Sequence, residues 1–301
     1  MAQISHWHIL GAGSMGCLWA YYLAKAGHQV SLIVRDTDCC DDKEQIIECV
    51  IDDAIFTEKA RVVQLRQKPA IDNLLICLKA HQTPPLIAEL RPVIKANTTI
   101  VLLQNGLGNQ ELIANQFSNN AVYAAVTTEA ALSQQKFKVK HTGKGQTSIG
   151  PLSDTTDVDL LEKISCALHC VEEQQINKML WEKLIINCCI NPLSCVCQCK
   201  NGALANNKEA IELIEKIVHE CIDIAKHADI DISFSVMYQK VITVINKTAE
   251  NTSSMRQDVL NHRKTEIDYM NGYMIKLARQ HSLASPVNAQ LTQQVKSLLP
   301  V

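Results

Sequence analysis

The sequence predicts an α/β protein: a doubly wound, mostly parallel sheet in the N-terminal part, followed by an all-helical C-terminal domain. Three observations carry that expectation. A strand, a glycine turn and a helix open the chain. Apolar runs of strand length then alternate with helical patterns through the first half. Beyond about residue 175, apolar residues recur every three or four positions almost without interruption. The expected domains are 1–174 and 175–301, in keeping with the roughly two domains that 301 residues imply, and 47% hydrophobic residues are ample for two cores.

His6-Trp7-His8-Ile9-Leu10 reads as the first strand, Gly11-Ala12-Gly13-Ser14-Met15-Gly16 as the turn, and Cys17 to Ala26 as a helix closed by Gly27. Gly11 allows the tight turn, Gly13 removes the Cβ that would keep a pyrophosphate off the backbone, and Gly16 lets the helix pack on the strand. Free N–H groups at the helix start then hold the anion. Set between this strand and a second one, Gln29 to Val34, the motif predicts a dinucleotide site and a Rossmann-type sheet; the alternative is three turn glycines with no ligand. The second strand ends in Arg35, where an NAD-selective site usually places an acidic side chain. Arginine points to the 2′-phosphate of NADP, although Asp36 would present a carboxylate if the strand ended one residue later.

An acidic, irregular stretch follows from Asp36 to Asp53. Strands are expected at Arg61 to Leu65, Asn73 to Leu78, Thr99 to Leu103 and Val122 to Thr127, with helices at about Pro85 to Arg91 and after Gly108. From Lys136 to Ile149, alternation around Thr142-Gly143-Lys144-Gly145 predicts an appended hairpin. Ligands of doubly wound sheets sit beyond the carboxyl ends of the strands. Lys79 and Asn105-Gly106 lie there, Lys79 suited to cofactor phosphate or ribose and Asn105 to the nicotinamide side; simple turn chemistry is the alternative for both.

In the helical part, Asn206 to Ala228, Phe234 to Lys247, Ser254 to Gln280 and Asn288 to Leu299 carry helical spacing. Lys183, Asn187 and Asn191 stand at four-residue steps, which stacks them on one face of an otherwise apolar helix over about 12 Å. Buried polar groups need partners. Backbone ends or buried water would serve, but three in register favour a small polar ligand. Hydride addition to a carbonyl leaves an alkoxide that needs a proton donor, and Lys183, with apolar neighbours lowering its pKa, is the best candidate. Asn187 and Asn191 would orient a substrate hydroxyl and carboxylate, and Pro192 frees a helix carbonyl beside them. Ser254-Met255-Arg256-Gln257 fits a capping box with Ser254 as N-cap. Glu266, about 18 Å farther along an unbroken helix, is then too far to share one small acid with Ser254. It is expected at the nicotinamide end or against Lys183, with a solvated pair to His262 or Arg263 as the alternative.

Composition narrows the partners. Net charge is −2 with scattered basic residues, which leaves no electrostatic footprint for nucleic acid. No apolar run approaches the roughly 20 residues of a membrane span and no signal-peptide pattern is present, so a cytoplasmic protein acting on a small molecule is expected, with a homodimer left open. The 13 cysteines are expected as reduced thiols. Cys195-Val196-Cys197-Gln198-Cys199 lacks C-x-x-C pairs and a nearby histidine, which argues against metal. Cys166, Cys170, Cys188, Cys189 and Cys221 read as small hydrophobes, and Cys39-Cys40 as a polar loop without an implied role.

Over nearly its whole length the chain resembles the ketopantoate reductases (2-dehydropantoate 2-reductases). The resemblance rests on Gly11 to Gly16, Leu78-Lys79-Ala80, Gln104-Asn105-Gly106, the run Trp181 to Leu193, Asn251-Thr252-Ser253-Ser254-Met255, and Thr265 to Gly272. It implies NADPH-dependent reduction of 2-dehydropantoate to pantoate, a step toward pantothenate and coenzyme A. Lys183 is implied as general acid at the ketone oxygen. Asn187, Asn191, Asn201, Asn251 and Ser254 form the expected substrate set, with Ser254 on the carboxylate. Gly11, Ala12, Gly13, Ser14, Met15, Gly16, Arg35, Lys79, Asn105, Ala131 and Glu266 form the expected cofactor set. Reduction of another 2-keto acid, a β-hydroxyacid dehydrogenase, and a non-catalytic NADPH sensor with no need of Lys183 are the alternatives.

Overall fold

The computed structural model describes residues 4–35, 43–165 and 167–299; Asp36, Cys39, Cys40 and Cys166 lie outside the described residues. The chain divides into two units, Met1–Gln104 with Asn109–Ile176, and Asn105–Gly108 with Asn177–Val301.

The first unit is built on β1 (His6–Leu10), α1 (Ser14–Lys25), β2 (Gln29–Ile33), β3 (Lys43–Ile51), β4 (Ala54–Val63), β5 (Ile71–Ile76), α2 (Ile87–Leu90), β6 (Ile94–Leu102), α3 (Asn109–Gln116), β7 (Ala121–Thr127), β8 (Ala130–Gln135), β9 (Lys138–Gly143), β10 (Thr147–Pro151), α4 (Leu160–Ile164) and β11 (Cys170–Glu172). All eleven strands join one sheet, in the order β11-β10-β7-β6-β5-β1-β2-β4-β3-β9-β8. From β7 across to β4 every pairing is parallel. Successive residues of these strands feed opposite cores. Trp7, Ile9, Leu32, Leu75 and Val101 pack with α1 and α4, whereas Leu10, Ile33, Leu74, Ile76, Ile100 and Leu102 pack with α2 and α3. Burial on both faces is why these strands read as continuous apolar runs. It also makes the predicted mixed α/β, Rossmann-type sheet the observed one.

α1 ends as its sequence dictates. Gly27 takes φ +90°, its N–H donates to Ala24 O at 2.9 Å, and His28 N–H donates to Leu23 O at 3.1 Å, a Schellman closure that needs glycine.

Three expectations for this unit need correction. The stretch to Asp53 is not irregular over its described part: β3 and β4 form an antiparallel hairpin closed by Asp52-Asp53, both at positive φ, a conformation Asp tolerates in two-residue turns. The 3₁₀ turn Pro84–Leu86 and the four-residue α2 replace the predicted seven-residue helix. The appended hairpin turns at Lys136-Phe137, not at Thr142 to Gly145. β8 pairs with β9 and β10 pairs with β7. Phe137, at φ +61°, plugs the core at 6% exposure. Gly143 and Gly145 serve close packing instead: an added Cβ would meet Ala130 and Thr128. A polar trio holds this hairpin to α1, with half-buried Tyr22 Oη 2.9 Å from buried His141 Nδ1 and His141 Nε2 2.7 Å from buried Glu129 Oε2.

The second unit is helical: α5 (Ile176–Val196), α6 (Lys208–Lys226), α7 (Phe234–Lys247), α8 (Ser254–Leu260), α9 (Asn271–Gln280) and α10 (Pro286–Ser297). The long helix predicted from Ser254 to Gln280 is interrupted. α8 stops at Leu260, His262 turns left-handed at φ +51°, Arg263 N–H donates to Asp258 O at 2.8 Å, and a 3₁₀ turn at Ile267–Tyr269 leads into α9. Apolar spacing continued across the break because each helix buries its own side chains, Met255 on α8 and Tyr273, Met274 and Ala278 on α9.

Gly16→Ala should destabilise the first unit by about 1–3 kcal/mol, because its methyl would overlap the Gly11 carbonyl oxygen. Gly13→Ala should leave stability unchanged, since an added Cβ there meets nothing within 4 Å. Thermal unfolding followed by circular dichroism separates the two, and equal melting temperatures would contradict the packing role of Gly16.

Candidate active site

Within the first unit the carboxyl ends of the parallel strands are level, with Leu10 paired to Ile33 and Ile76, and Ile76 to Leu102. The chain order reverses between β1 and β5, which makes a crevice at this edge. The glycine turn after β1 and the segment after β5 touch there: a Cβ on Gly11, at φ +108°, would come within 2.9 Å of Leu78 Cδ2. Gly13 is exposed with open space where its side chain would be, and α1 starts at Ser14 with no side chain capping its free N–H groups. These are the properties a pyrophosphate cradle requires, so the residues present fit a dinucleotide. Ala12, Ser14 and Met15 line the same turn, and Arg35 is exposed just beyond β2. Ala131 lies on β8 opposite His141 and packs on the core cluster that Ala12 and Met15 also flank.

Lys79 is held by its backbone, whose N–H donates to Gln82 Oε1 at 3.1 Å. The loop it belongs to is tied to the end of β6. Gln104 Nε2 donates to Leu78 O (2.7 Å) and Thr83 Oγ1 (2.9 Å), and Asn109 Nδ2 donates to Ala80 O (2.8 Å) and Gln104 Oε1 (3.2 Å). Sequence reasoning assigned no role to Gln104 or Asn109. The available signal was position: Gln104 ends the apolar run Thr99 to Leu103, and Asn109 follows Gly108 at the start of a helix.

In the second unit, α5 carries Lys183, Asn187 and Asn191 as the four-residue spacing predicted. Lys183 keeps some exposed surface, yet burial of its amine is the larger influence and pulls its pKa from 10.5 down to about 8; the Glu266 carboxylate opposes this. Glu266 is buried at 7% exposure, and Arg263 instead pairs with Asp258 at 3.1 Å. The burial of Glu266 is at odds with the solvated-pair alternative. With the helix broken, the 18 Å separation of Glu266 from Ser254 also no longer applies.

The turn that carries Glu266 is pinned. Leu107 N–H donates to Tyr269 O at 3.0 Å, and Gly106, at φ +79°, must lack a Cβ because one would strike the Tyr269 backbone. Asn105, half-buried, is thus brought to the Glu266 turn by its own loop. Asn191 is buried, its Nδ2 3.6 Å from Met270 Sδ. Asn201 is buried, donating through Nδ2 to Thr248 Oγ1 (2.9 Å) and through its backbone to Asn251 O (3.1 Å), while the Asn251 side chain is exposed.

The capping box needs correction. Ser253 is the N-cap of α8: its buried Oγ accepts from Arg256 N–H at 3.1 Å, and Gln257 Nε2 donates to Thr252 O. Ser254 is the first helical residue and is exposed. Ser253 also ties α8 to α5. Ser194 donates its hydroxyl to Asn191 O at 2.9 Å, so the 2.6 Å contact between the two serines is donated by Ser253. An open groove of roughly 700 Å³ between α5 and α7 is lined by Glu182, Ile186 and Lys240, not by Lys183 or the asparagines. Among the described residues no group of three or more His, Cys, Asp or Glu could hold a metal ion, and no helix is long and apolar enough to cross a membrane.

Ser253→Ala should cost about 1 kcal/mol, the worth of a lost N-cap, in a urea titration, whereas Ser254→Ala should stay within experimental scatter. The reverse order would restore Ser254 as the cap.

The sequence pattern described as "Ketopantoate reductase PanE/ApbA" matches residues 7–154, and that described as "Ketopantoate reductase PanE/ApbA C terminal" matches residues 175–298. The 2-dehydropantoate 2-reductase of Vibrio cholerae is 36% identical over 293 residues, covering 96% of each chain. Among solved structures, D-mandelate dehydrogenase with NADH and anilino(oxo)acetate superposes with a TM-score of 0.89 at 23% identity, over 97% of this chain and 98% of the other. A PanE/ApbA family ketopantoate reductase from Ralstonia eutropha JMP134 gives 0.86 at 23% identity, with the same coverage. Matched in both of its parts and by a relative along nearly its full length, the chain belongs to the ketopantoate reductase family of oxidoreductases.

Proposed function

We propose that the protein is a cytoplasmic enzyme that reduces 2-dehydropantoate to pantoate with NADPH, a step toward pantothenate and coenzyme A. Lys183 carries this reading: its pKa is drawn down to about 8 by burial, Glu266 opposes that shift, and Asn187 and Asn191 follow it at helical spacing. When bound, NADPH supplies hydride to the 2-keto carbon. The residues of the chain hold the keto acid and supply the proton for the alkoxide that results. Lys183 Nζ delivers it to the former ketone oxygen. A donor near 8 is mostly protonated at pH 7, yet releases its proton more readily than an ordinary lysine. The Glu266 carboxylate keeps the ammonium form populated against burial. The amides of Asn187, Asn191 and Asn201 take the substrate's hydroxyl and carboxylate. In support, Asn201 Oδ1 is a buried acceptor with no hydrogen-bond partner among the described residues. Ser254 and Asn251, both exposed, complete the carboxylate side. The Gly11 to Gly16 turn takes the pyrophosphate, Arg35 the 2′-phosphate, Lys79 a phosphate or ribose, and Asn105 the nicotinamide side, with Ala131 and Glu266 in the same cofactor set.

Absorbance loss of NADPH with 2-dehydropantoate tests the assignment, and faster turnover of simpler 2-keto acids would replace the substrate. Lys183→Ala should lower kcat by on the order of 10²- to 10⁴-fold in a protein whose circular dichroism is unchanged. In the wild type, reduction should fall as pH rises through about 8, where the donor loses its proton, and oxidation of pantoate should rise over the same interval. A reduction rate that is flat from pH 7 to 9 and insensitive to Lys183→Ala would identify another acid.

Arg35→Ala should weaken NADPH about 10-fold or more, the scale of one charge-assisted hydrogen bond, with little change for NADH. Equal losses in a binding titration would refute the NADP assignment.

A further inference from the structure

α5 contains a proline, and its missing N–H has a specific consequence. Pro192 cannot donate to the carbonyl four residues earlier, which is that of Cys188. That carbonyl is enclosed, because Cys188 and Cys189 are fully buried. Its donor comes from outside the helix: Asn271 Nδ2 reaches Cys188 O at 3.0 Å and also donates to Asn288 Oδ1 at 2.9 Å. Asn288 Nδ2 in turn donates to Glu220 Oε2 at 2.7 Å, and the same carboxylate accepts from the backbone N–H groups of Val287 (2.8 Å) and Asn288 (3.1 Å) at the start of α10.

The order of this relay is fixed by its end. A carboxylate only accepts, so Asn288 must turn its amide nitrogen to Glu220 and its oxygen to Asn271. Asn271 must then present its nitrogen to both Asn288 and Cys188. Both amides are fully buried, so neither can flip to water. The missing bond would run from Cys188, one residue after Asn187, to Pro192, one residue after Asn191.

We propose that Asn271, oriented by Asn288 and Glu220, is a positioning residue: it replaces the helix bond that Pro192 removes and thereby sets the relative placement of Asn187 and Asn191. The inference rests on the functional reading above only where it calls these asparagines substrate ligands.

Asn271→Leu keeps the volume and removes the donor, and Pro192→Ala restores the helix N–H to Cys188 O. Melting temperatures of the full-length wild type, both single variants and the double variant are read without substrate. Asn271→Leu should lower the melting temperature, and adding Pro192→Ala should recover most of the loss. Steady-state kinetics then divides structure from positioning. Asn271→Leu should raise the KM for 2-dehydropantoate at least tenfold with the KM for NADPH within twofold, and the double variant should keep the raised KM despite its recovered stability. Should Asn271→Leu alone fail to fold, the double variant supplies the kinetic reading. Additive melting shifts overturn the inference, as does a KM that returns to the wild-type value in the double variant. Absence of turnover by the wild-type protein overturns the functional reading and leaves the melting comparison decisive for the role of Asn271.

Discussion

A lysine set into an apolar helix is the constraint from which the helical unit takes its form. Leu184, Ile185, Cys188, Cys189, Ile190 and Leu193 are all at or below 3% exposure, so α5 offers Lys183 little polar surrounding of its own. The one acid beside it on the helix, Glu182, is engaged with Lys240 at 2.8 Å. The compensating carboxylate therefore has to arrive from another element, and it arrives on a turn. Glu266 can occupy that position because α8 stops at Leu260 and α9 does not begin until Asn271. Had the helix run unbroken, its rigid rise would have fixed Glu266 by its distance from Ser254 instead. The turn is then held on two sides, by the Gly106-Leu107 loop at Tyr269 and by the contacts of Met270 and Asn271 with α5.

The first unit answers a different requirement, that of making a sheet edge rigid without secondary structure. Two loops leave that edge, after β5 and after β6, and Gln104 joins them through both hydrogens of its amide. Its oxygen is committed as well, to Asn109 at the start of α3. A side chain with every direction spoken for has no alternative rotamer of equal energy. The backbone of Lys79 and the entry to Asn105 are thus fixed by one buried glutamine, which is how flexible sequence comes to present defined geometry.

What was legible in the sequence follows from which signals are local. Strands buried on both faces, the glycine turn, the Gly27 closure and the α7 boundaries all depend on residues within one element, and they stand where the pattern places them. The polar stripe of α5 belongs to the same class. The failures share a cause too. Thr142 to Gly145 has the composition of a turn, yet its glycines are needed because Thr128 and Ala130 pass close by, a fact of tertiary contact. The β3–β4 hairpin was hidden because its exposed strands carry charge, and aspartates rather than glycine close it. Two adjacent serines let the cap of α8 be read one position late, at Ser254, and the bond from Arg256 N–H to Ser253 Oγ places it at Ser253. Pro192 announced a free carbonyl, but which residue would satisfy it depends on how α9 packs against α5, and no spacing rule reaches that far.

The character of Lys183 is a balance in which neither influence can be dropped. Burial alone would drive the amine toward its neutral form. A carboxylate alone, in water, would hold the ammonium near the usual lysine value, where it gives up its proton reluctantly. Burial is the larger of the two, and Glu266 limits it, so the amine titrates at about 8. The acid comes from another element because the positions one turn from Lys183 on its own face of α5 are held by Met179, Leu180, Ile186 and Asn187, none of them a carboxylate. Glu266 supplies it from a pinned turn, where it is buried at 7% exposure. The interruption between α8 and α9, which defeated the reading of that region as one helix, is thus the feature that sets a carboxylate against the burial of a lysine in an apolar helix.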